Sequence, residues 1–212
     1  MNKVKEFTMK NLKWIILLIC LIGFLALAED VFEKEIMKGD IIGYELISRF
    51  LIANHITPIA KFITNFGGSI ALVTSSLLLC IFIKKKRIGI SIILNLIIAT
   101  ALNLILKNIL QRPRPTEYRI IEETGYSFPS GHSMISMAFY GYLIYLIYKY
   151  VKNKYLKTTL IIIFSLLIVL IGVSRIYLGV HYTSDVLAGF LISISYLIAY
   201  ESCTKRFLEE RE

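Results

Sequence analysis

The stretch that decides the fold is residues 174–185, Ser-Arg-Ile-Tyr-Leu-Gly-Val-His-Tyr-Thr-Ser-Asp, which lies between two long apolar segments. Because it joins two such segments, we expect it to reverse the chain at one face of a membrane. Arg175, His181 and Asp185 bring a guanidinium, an imidazole and a carboxylate into this turn. Ionisable groups within membrane segments are usually functional. The alternative interpretation is a snorkelling arginine followed by a helix cap.

The spacing within this stretch favours catalysis over the alternative. His181 and Asp185 are four residues apart, so on a helical turn they share one face. An aspartate that accepts a hydrogen bond from one imidazole nitrogen fixes the tautomer and leaves the other nitrogen free to attack. Arg175 supplies a planar, permanently charged group that suits phosphate oxygens.

The composition predicts an all-α, polytopic membrane protein. The chain has 212 residues, of which 56% are hydrophobic, and its mean hydropathy is +0.67. Several apolar runs have the length of about twenty residues that spans a bilayer. We expect a single domain over residues 1–212 with six transmembrane helices. They are predicted at 14–28, 57–83, 88–110, 133–148, 158–177 and 186–200.

The first half of the chain leads to further predictions about its helices. The first span could be a signal peptide cleaved after Ala28, but we favour an uncleaved helix because five later spans already require membrane insertion. Residues 29–57 are too charged to span, so we expect two short amphipathic helices at the interface, the second capped by Asp40. In the second span, Gly67-Gly68 predicts close helix approach or a bend.

The basic charges indicate topology rather than nucleic-acid binding. The net charge is +9, and with the N-terminus inside, the inner segments hold fifteen of the 24 Lys and Arg residues. This is the positive-inside bias of membrane proteins, with additional contacts to anionic lipid. We therefore expect a multi-pass protein of the cell membrane with both termini cytoplasmic. The turn at 174–185 then faces outside.

Strict alternation of six spans brings two further polar clusters to the same face as this turn. In the segment 128–132, Ser130 is a natural helix N-cap, Gly131 permits close approach of a ligand, and His132 lies in the first turn; such helix N-termini bind anions. At the end of the third span, Asn103 and Lys107 share one helix face, and we hypothesise that Asn103 positions Lys107.

These residues carry a family resemblance. The three segments Lys107-x6-Arg114-Pro115, Pro129-Ser130-Gly131-His132 and Ser174-Arg175-x5-His181-x3-Asp185 resemble the three-part signature of the type 2 phosphatidic acid phosphatase family. The resemblance covers residues 107–185 by motif. The compact length resembles bacterial members that are described as phosphatidylglycerophosphate or undecaprenyl diphosphate phosphatases.

The resemblance implies a mechanism and a set of roles. His181 would attack the terminal phosphorus and form a phosphohistidine, Asp185 would orient its ring, and His132 would protonate the leaving lipid oxygen and then activate water. The phosphate-binding residues implied are Lys107, Arg114, Ser130, Gly131 and Arg175.

The function expected is therefore hydrolysis of the terminal phosphate of a membrane lipid. Undecaprenyl diphosphate is the favoured substrate, with phosphatidylglycerophosphate or a broad range of phosphatidic acids as alternatives. An alternative of another class is a lipid-binding or transport protein without catalysis. We expect no metal and no cofactor, no nucleic-acid partner, and no disulfide among Cys20, Cys80 and Cys203.

Overall fold

The computed structural model describes residues 3–33, 37–51, 55–117 and 119–209, and every regular element in these ranges is a helix. The eight helices are α1 (Lys3–Phe32), α2 (Lys38–Leu51), α3 (Thr57–Asn65), α4 (Ser69–Phe82), α5 (Lys86–Leu110), α6 (Gly131–Tyr150), α7 (Lys154–Tyr177) and α8 (Thr183–Glu209).

Four described helices are long and apolar enough to cross a membrane, and a fifth is added if α3 and α4 form one span bent by 45°. The four are the part of α1 from Asn11 to Phe32, α5, α7 and α8. The predicted count of six is therefore not confirmed. The remaining candidate is α6, which is long enough to span but is not among the helices that are apolar enough.

Helix α6 lies at the centre of the bundle and packs against α5, α7 and α8. Gly189 of α8 allows a close approach to α6, because a Cβ added there would lie 3.2 Å from both Met134 N and Ser130 O. Two buried tyrosines of α6 bond to polar groups of neighbouring segments through their hydroxyls, Tyr142 to Ser91 of α5 and Tyr140 to the Phe66 carbonyl. These two bonds join α6 to α5 and to the end of α3.

The break between α3 and α4 falls at the predicted Gly67-Gly68 position. A Cβ added at Gly67 would lie 2.7 Å from Ile171 Cγ2 and 3.2 Å from His132 Cδ2. Both properties that glycine was expected to supply, a bend and close approach, are present here. The bend places the chain directly against His132.

The segment after α1 differs from the prediction. The described part of residues 29–57 contains one complete helix, α2, rather than two, because α1 itself continues to Phe32. The rest of the predicted pair falls on residues 34–36 and 52–54, outside the described residues. Asp40 lies in the first turn of α2 and does not cap it, because its carboxylate bonds to other elements.

The two ends of the bundle are chemically distinct. At one end, Arg87 at the start of α5 donates to the Phe207 carbonyl of α8, and Lys149 of α6 pairs with Glu209. Lys13 near the start of α1 donates to Ser202 of α8 at this same end. The opposite end contains the C-terminus of α5, the N-terminus of α6 and the turn between α7 and α8.

Candidate active site

The turn between α7 and α8 presents His181 and Asp185 to each other. Gly179, with a φ of 69°, reverses the chain after α7. Asp185 lies in the first turn of α8, and its Oδ2 is 3.3 Å from His181 Nδ1 and accepts the Tyr182 N–H at 2.9 Å. The predicted pairing of residues four apart is thus present, and it depends on α8 beginning at Thr183.

The other nitrogen of His181 faces Arg114. Arg114 Nη1 is 3.0 Å from His181 Nε2. A guanidinium can only donate, so Nε2 accepts and the ring proton lies on Nδ1, towards Asp185; this tautomer is assigned from the network. Burial, followed by the charges of Arg175, Arg114 and Lys107, holds the pKa of His181 well below its ordinary value. The ring is therefore neutral and carries a lone pair on Nε2 at neutral pH.

Arg114 also joins two segments of chain. Its guanidinium donates at 3.0 Å to the carbonyls of Val180, Gly125 and Thr124. The side chain therefore fixes the connection between α5 and α6 against the turn that carries His181.

The N-terminus of α6 has the predicted cap. Ser130 is the N-cap residue, and its Oγ accepts the Ser133 N–H at 3.4 Å. The Ser130 N–H donates to the Asp185 carbonyl at 3.0 Å, which ties this motif to α8. A Cβ added at Gly131 would lie 3.1 Å from Asn103 Oδ1 and 3.8 Å from Lys107 Cε. The glycine therefore keeps the helix end close to the lysine.

Lys107 points towards the same helix end. Its Nζ donates to the Tyr126 carbonyl and lies 3.5 Å from the Ser127 carbonyl oxygen. Asn103 Nδ2 bonds to the Pro129 carbonyl at 3.3 Å. Asn103 therefore holds the segment before α6, whose Tyr126 and Ser127 carbonyls face Lys107. That Asn103 positions Lys107 stays a prediction.

Arg175 is the most deeply buried of the basic groups, with 1% of its surface exposed. Its Nη1 donates to Thr64 Oγ1 at 2.9 Å, and its Nη2 donates to the Glu123 carboxylate. Among the described residues its Nε has no hydrogen-bond partner. Burial alone would raise the pKa of Glu123, but the hydrogen bond and charge of Arg175 outweigh it and lower that pKa.

Sequence reasoning missed three charged residues of this region, Glu123, Arg112 and Asp40. Arg112 donates at 2.7 Å to Asp185 Oδ1, to Ser184 Oγ and to Asp40 Oδ2. The position of Arg112, two residues before Arg114, was the one available signal for it. Asp40 lies 72 residues away from Arg112, and nothing local in the sequence indicates that contact.

A cavity of about 340 Å³ opens beside His181, between α2 and the turn. Its lining includes Tyr44, Glu45, Glu117, Tyr182 and His181. The basic residues Lys107, Arg114 and Arg175 do not contribute to it. The cavity and the basic cluster therefore meet at the His181 ring.

A helical membrane bundle that gathers two imidazoles, a buried carboxylate and three basic side chains at one end has the architecture of a membrane lipid phosphatase. The sequence profile of the PAP2 superfamily matches residues 88–208, and the chain belongs to this family.

Two curated relatives and one solved structure agree with this assignment. The chain is 31% identical over 179 residues to phosphatidylglycerophosphatase B of Bacillus subtilis (strain 168), covering 81% of this chain and 86% of that protein. It is 28% identical over 197 residues to an undecaprenyl-diphosphatase of Sulfolobus acidocaldarius, covering 87% and 88%. The crystal structure of a transmembrane PAP2 type phosphatidylglycerolphosphate phosphatase from Bacillus subtilis superposes with a TM-score of 0.78 at 26% identity, covering 92% of this chain and 98% of that one. The chain is therefore a multi-pass membrane phosphatase.

Proposed function

We propose that the protein hydrolyses the terminal phosphate of a membrane lipid through a phosphohistidine at His181. The observation that carries the proposal is the pair of contacts on this ring. Nδ1 faces Asp185 at 3.3 Å, and Nε2 accepts from Arg114 at 3.0 Å. A phosphate oxygen is a stronger acceptor for a guanidinium than a neutral imidazole is, so a bound phosphate would draw Arg114 away and free the Nε2 lone pair.

In the first step, His181 Nε2 forms a bond to the terminal phosphorus, and the bond from phosphorus to the lipid oxygen breaks. His132 gives a proton to that oxygen as it leaves. Asp185 stabilises the positive charge that develops on the His181 ring. In the second step, His132 takes a proton from water, which attacks the phosphohistidine and releases inorganic phosphate.

The basic groups stabilise the charge on the transferring phosphoryl group. Lys107, Arg114 and Arg175 supply positive charge, and Ser130 and the Gly131 N–H supply donors at a helix N-terminus. The unpaired Nε of Arg175 is a donor that a phosphate oxygen would satisfy. Three cationic side chains can do the electrostatic work that other phosphatases assign to metal ions, so we expect turnover in the presence of excess EDTA.

Two lipids are the leading substrates. Undecaprenyl diphosphate is the substrate favoured by the sequence analysis, and a relative with that activity in its name spans most of the chain. Phosphatidylglycerophosphate is the second candidate, because the B. subtilis relative is more similar in sequence and is named for that lipid.

The test is a comparison of phosphate release by purified protein from undecaprenyl diphosphate, phosphatidylglycerophosphate and phosphatidic acid. We expect kcat/KM for one of the first two to exceed that for phosphatidic acid by at least tenfold, with His181→Ala inactive on all three. Absence of phosphate release from all three lipids by the wild-type protein would refute the proposal and favour a lipid-binding role.

A further inference from the structure

Three charged side chains form a continuous chain behind His181. Asp40 of α2, Arg112 of the connection between α5 and α6, and Asp185 of α8 are joined by two contacts of 2.7 Å each. All three are buried. Arg112 additionally stacks over the Tyr182 ring, with its guanidinium carbon 4.1 Å from the ring centroid. Each residue comes from a different element, so the chain of contacts depends on how these elements dock.

Buried ion pairs of this kind contribute little net stability, because desolvation of the charges offsets their attraction. The geometry of these contacts shows what they do instead, which is to fix the orientation of the Asp185 carboxylate. Asp185 divides its two oxygens between partners: Oδ1 accepts from Arg112, while Oδ2 faces His181 and accepts the Tyr182 N–H. With both oxygens fixed, the carboxylate cannot rotate, and the His181 ring that it orients is fixed as well.

Both carboxylate oxygens of Asp40 also accept hydrogen bonds. Its Oδ2 accepts from Arg112, and its Oδ1 accepts the Ser184 N–H at 2.8 Å in the first turn of α8. A Cβ added at Gly43 would lie 2.1 Å from Thr183 Oγ1. Helix α2 therefore lies directly on the first turn of α8, and no side chain larger than hydrogen fits between them at Gly43.

We propose that Asp40 and Arg112 are positioning residues, which hold the Asp185 carboxylate so that His181 Nε2 stays aimed at the phosphorus. This inference rests on the function proposed above, and it gives α2 a role in orienting the active-site residues. The two carboxylates and one guanidinium carry a net charge of −1. That charge balances the +1 that the His181 ring acquires when it forms a bond to phosphorus. Neutralising Asp40 leaves Asp185 shared with an uncompensated Arg112, which weakens its support of the charged ring.

The expected signature is a fall in kcat with little change in KM, because neither Asp40 nor Arg112 belongs to the cluster that would bind the phosphate. Residues that orient a metal-bound histidine through its other ring nitrogen typically contribute about 10- to 100-fold to metal affinity or activity. For Asp40→Asn we expect kcat to fall by about tenfold and KM to stay within roughly twofold. Asparagine keeps an oxygen to accept the Ser184 N–H, so the start of α8 is preserved.

Glu33→Gln is the control. It removes the same charge at an exposed position seven residues before Asp40, and Glu33 is not among the residues that line the cavity. Arg112→Lys is the second variant, because it keeps the charge but cannot reach Asp40, Ser184 and Asp185 together. The measurements are kcat and KM for phosphate release from phosphatidylglycerophosphate and undecaprenyl diphosphate. They are paired with the rate at which diethyl pyrocarbonate modifies His181, read by mass spectrometry against the exposed His55.

Support for the inference is a lower kcat in both Asp40→Asn and Arg112→Lys, with Glu33→Gln at the wild-type value, and at least threefold faster modification of His181 in the two variants. If Asp40→Asn fails to fold, Arg112→Lys decides by the same two readouts. Wild-type kcat and wild-type His181 modification in a folded variant would overturn the inference and leave the proposed function intact. A wild-type protein that releases no phosphate would refute the proposed function instead, and the His181 modification rates would still decide whether Asp40 and Arg112 position the ring.

Discussion

The state of the His181 ring follows from the groups that surround it. Burial and the nearby charges of Arg175, Arg114 and Lys107 lower its pKa, and Glu123 opposes them. A histidine in water has a pKa of about 6.5. The neutral ring that can attack phosphorus is therefore retained at pH values where an exposed histidine would already be protonated.

This predicts the position of the acid limb of the pH profile. We expect the acid limb of kcat/KM, which is set by protonation of the His181 ring, to lie below about pH 6.5. In Arg114→Gln, loss of a neighbouring cation raises the pKa of His181, so the limb should move to higher pH in addition to the overall loss of activity. Arg119→Gln, in the same connection, is the control and should leave the limb in place. An acid limb that is unchanged or moves to lower pH in Arg114→Gln would show that Arg114 does not lower the pKa of His181.

Glu123 is the carboxylate that pairs with Arg175 inside the basic cluster. A phosphate must compete with it for the same guanidinium. We therefore expect Glu123→Gln to lower both the KM for lipid substrate and the inhibition constant for inorganic phosphate by roughly 3- to 10-fold, about 0.6–1.4 kcal/mol. Glu122→Gln removes an adjacent, exposed charge and should change neither constant. A higher KM in Glu123→Gln would instead assign the carboxylate a role in holding Arg175 for the substrate.

At the scale of the elements, the bend between α3 and α4 is important for the active site because it contacts α6 and α7. Gly67 lies against Ile171 of α7 and His132 of α6. In Gly67→Ala, the added methyl group would displace the His132 ring or α7. Overpacking of this kind costs about 1–3 kcal/mol. We expect a thermal unfolding temperature lower by several degrees and a kcat reduced by about tenfold, the two measured in the same preparation.

The control for this variant is Gly39→Ala in α2, where an added Cβ would have no atom within 4 Å. It should leave both the unfolding temperature and kcat close to the wild-type values. Equal behaviour of the two variants would show that the bend does not restrain His132.

The elements that sequence could predict are those with strong local signals. The cap at Ser130, the bend at Gly67-Gly68 and the turn from Arg175 to Asp185 all follow from residues close together in the chain. Asp40 could not be assigned in the same way, because its partners Arg112 and Ser184 lie 72 and 144 residues away. Local pattern suggested a helix cap for it, whereas the docking of α2 on α8 determines its contacts. The contact of Asn103 with the Pro129 carbonyl, 26 residues away, is likewise not indicated by local sequence.

At the scale of the whole molecule, the polar clusters separate to opposite ends of the bundle. His181, Arg114 and Lys107 lie at one end, and Arg87 and Lys149 lie at the other with the C-terminal part of α8. The positive-inside rule predicts that the end with Arg87 and Lys149 faces the cytoplasm. We propose that the site with His181 opens at the outer leaflet, so that the lipid head is hydrolysed outside the cell.

The orientation can be measured with single cysteines in a background without Cys20, Cys80 and Cys203. Glu122 and Asn153 are both exposed and lie in connections at opposite ends. We expect an impermeant thiol reagent on intact cells to label Glu122→Cys and not Asn153→Cys, with both labelled after permeabilisation. The reverse pattern would place the site in the cytoplasm.

The central claim, phosphoryl transfer to His181, is tested most directly by trapping the intermediate. In His132→Ala, the water that hydrolyses the phosphohistidine loses its base, so the intermediate should accumulate. Because this variant also lacks the acid of the first step, the protein is mixed for milliseconds to seconds with a labelled phosphate ester whose leaving group needs no proton. The mixture is quenched in alkaline denaturant, and the label is mapped by mass spectrometry. The mechanism predicts phosphate on His181 at a level approaching one per protein, and none in His132→Ala/His181→Ala. Label on another residue, or wild-type turnover that persists in His181→Ala, would contradict it.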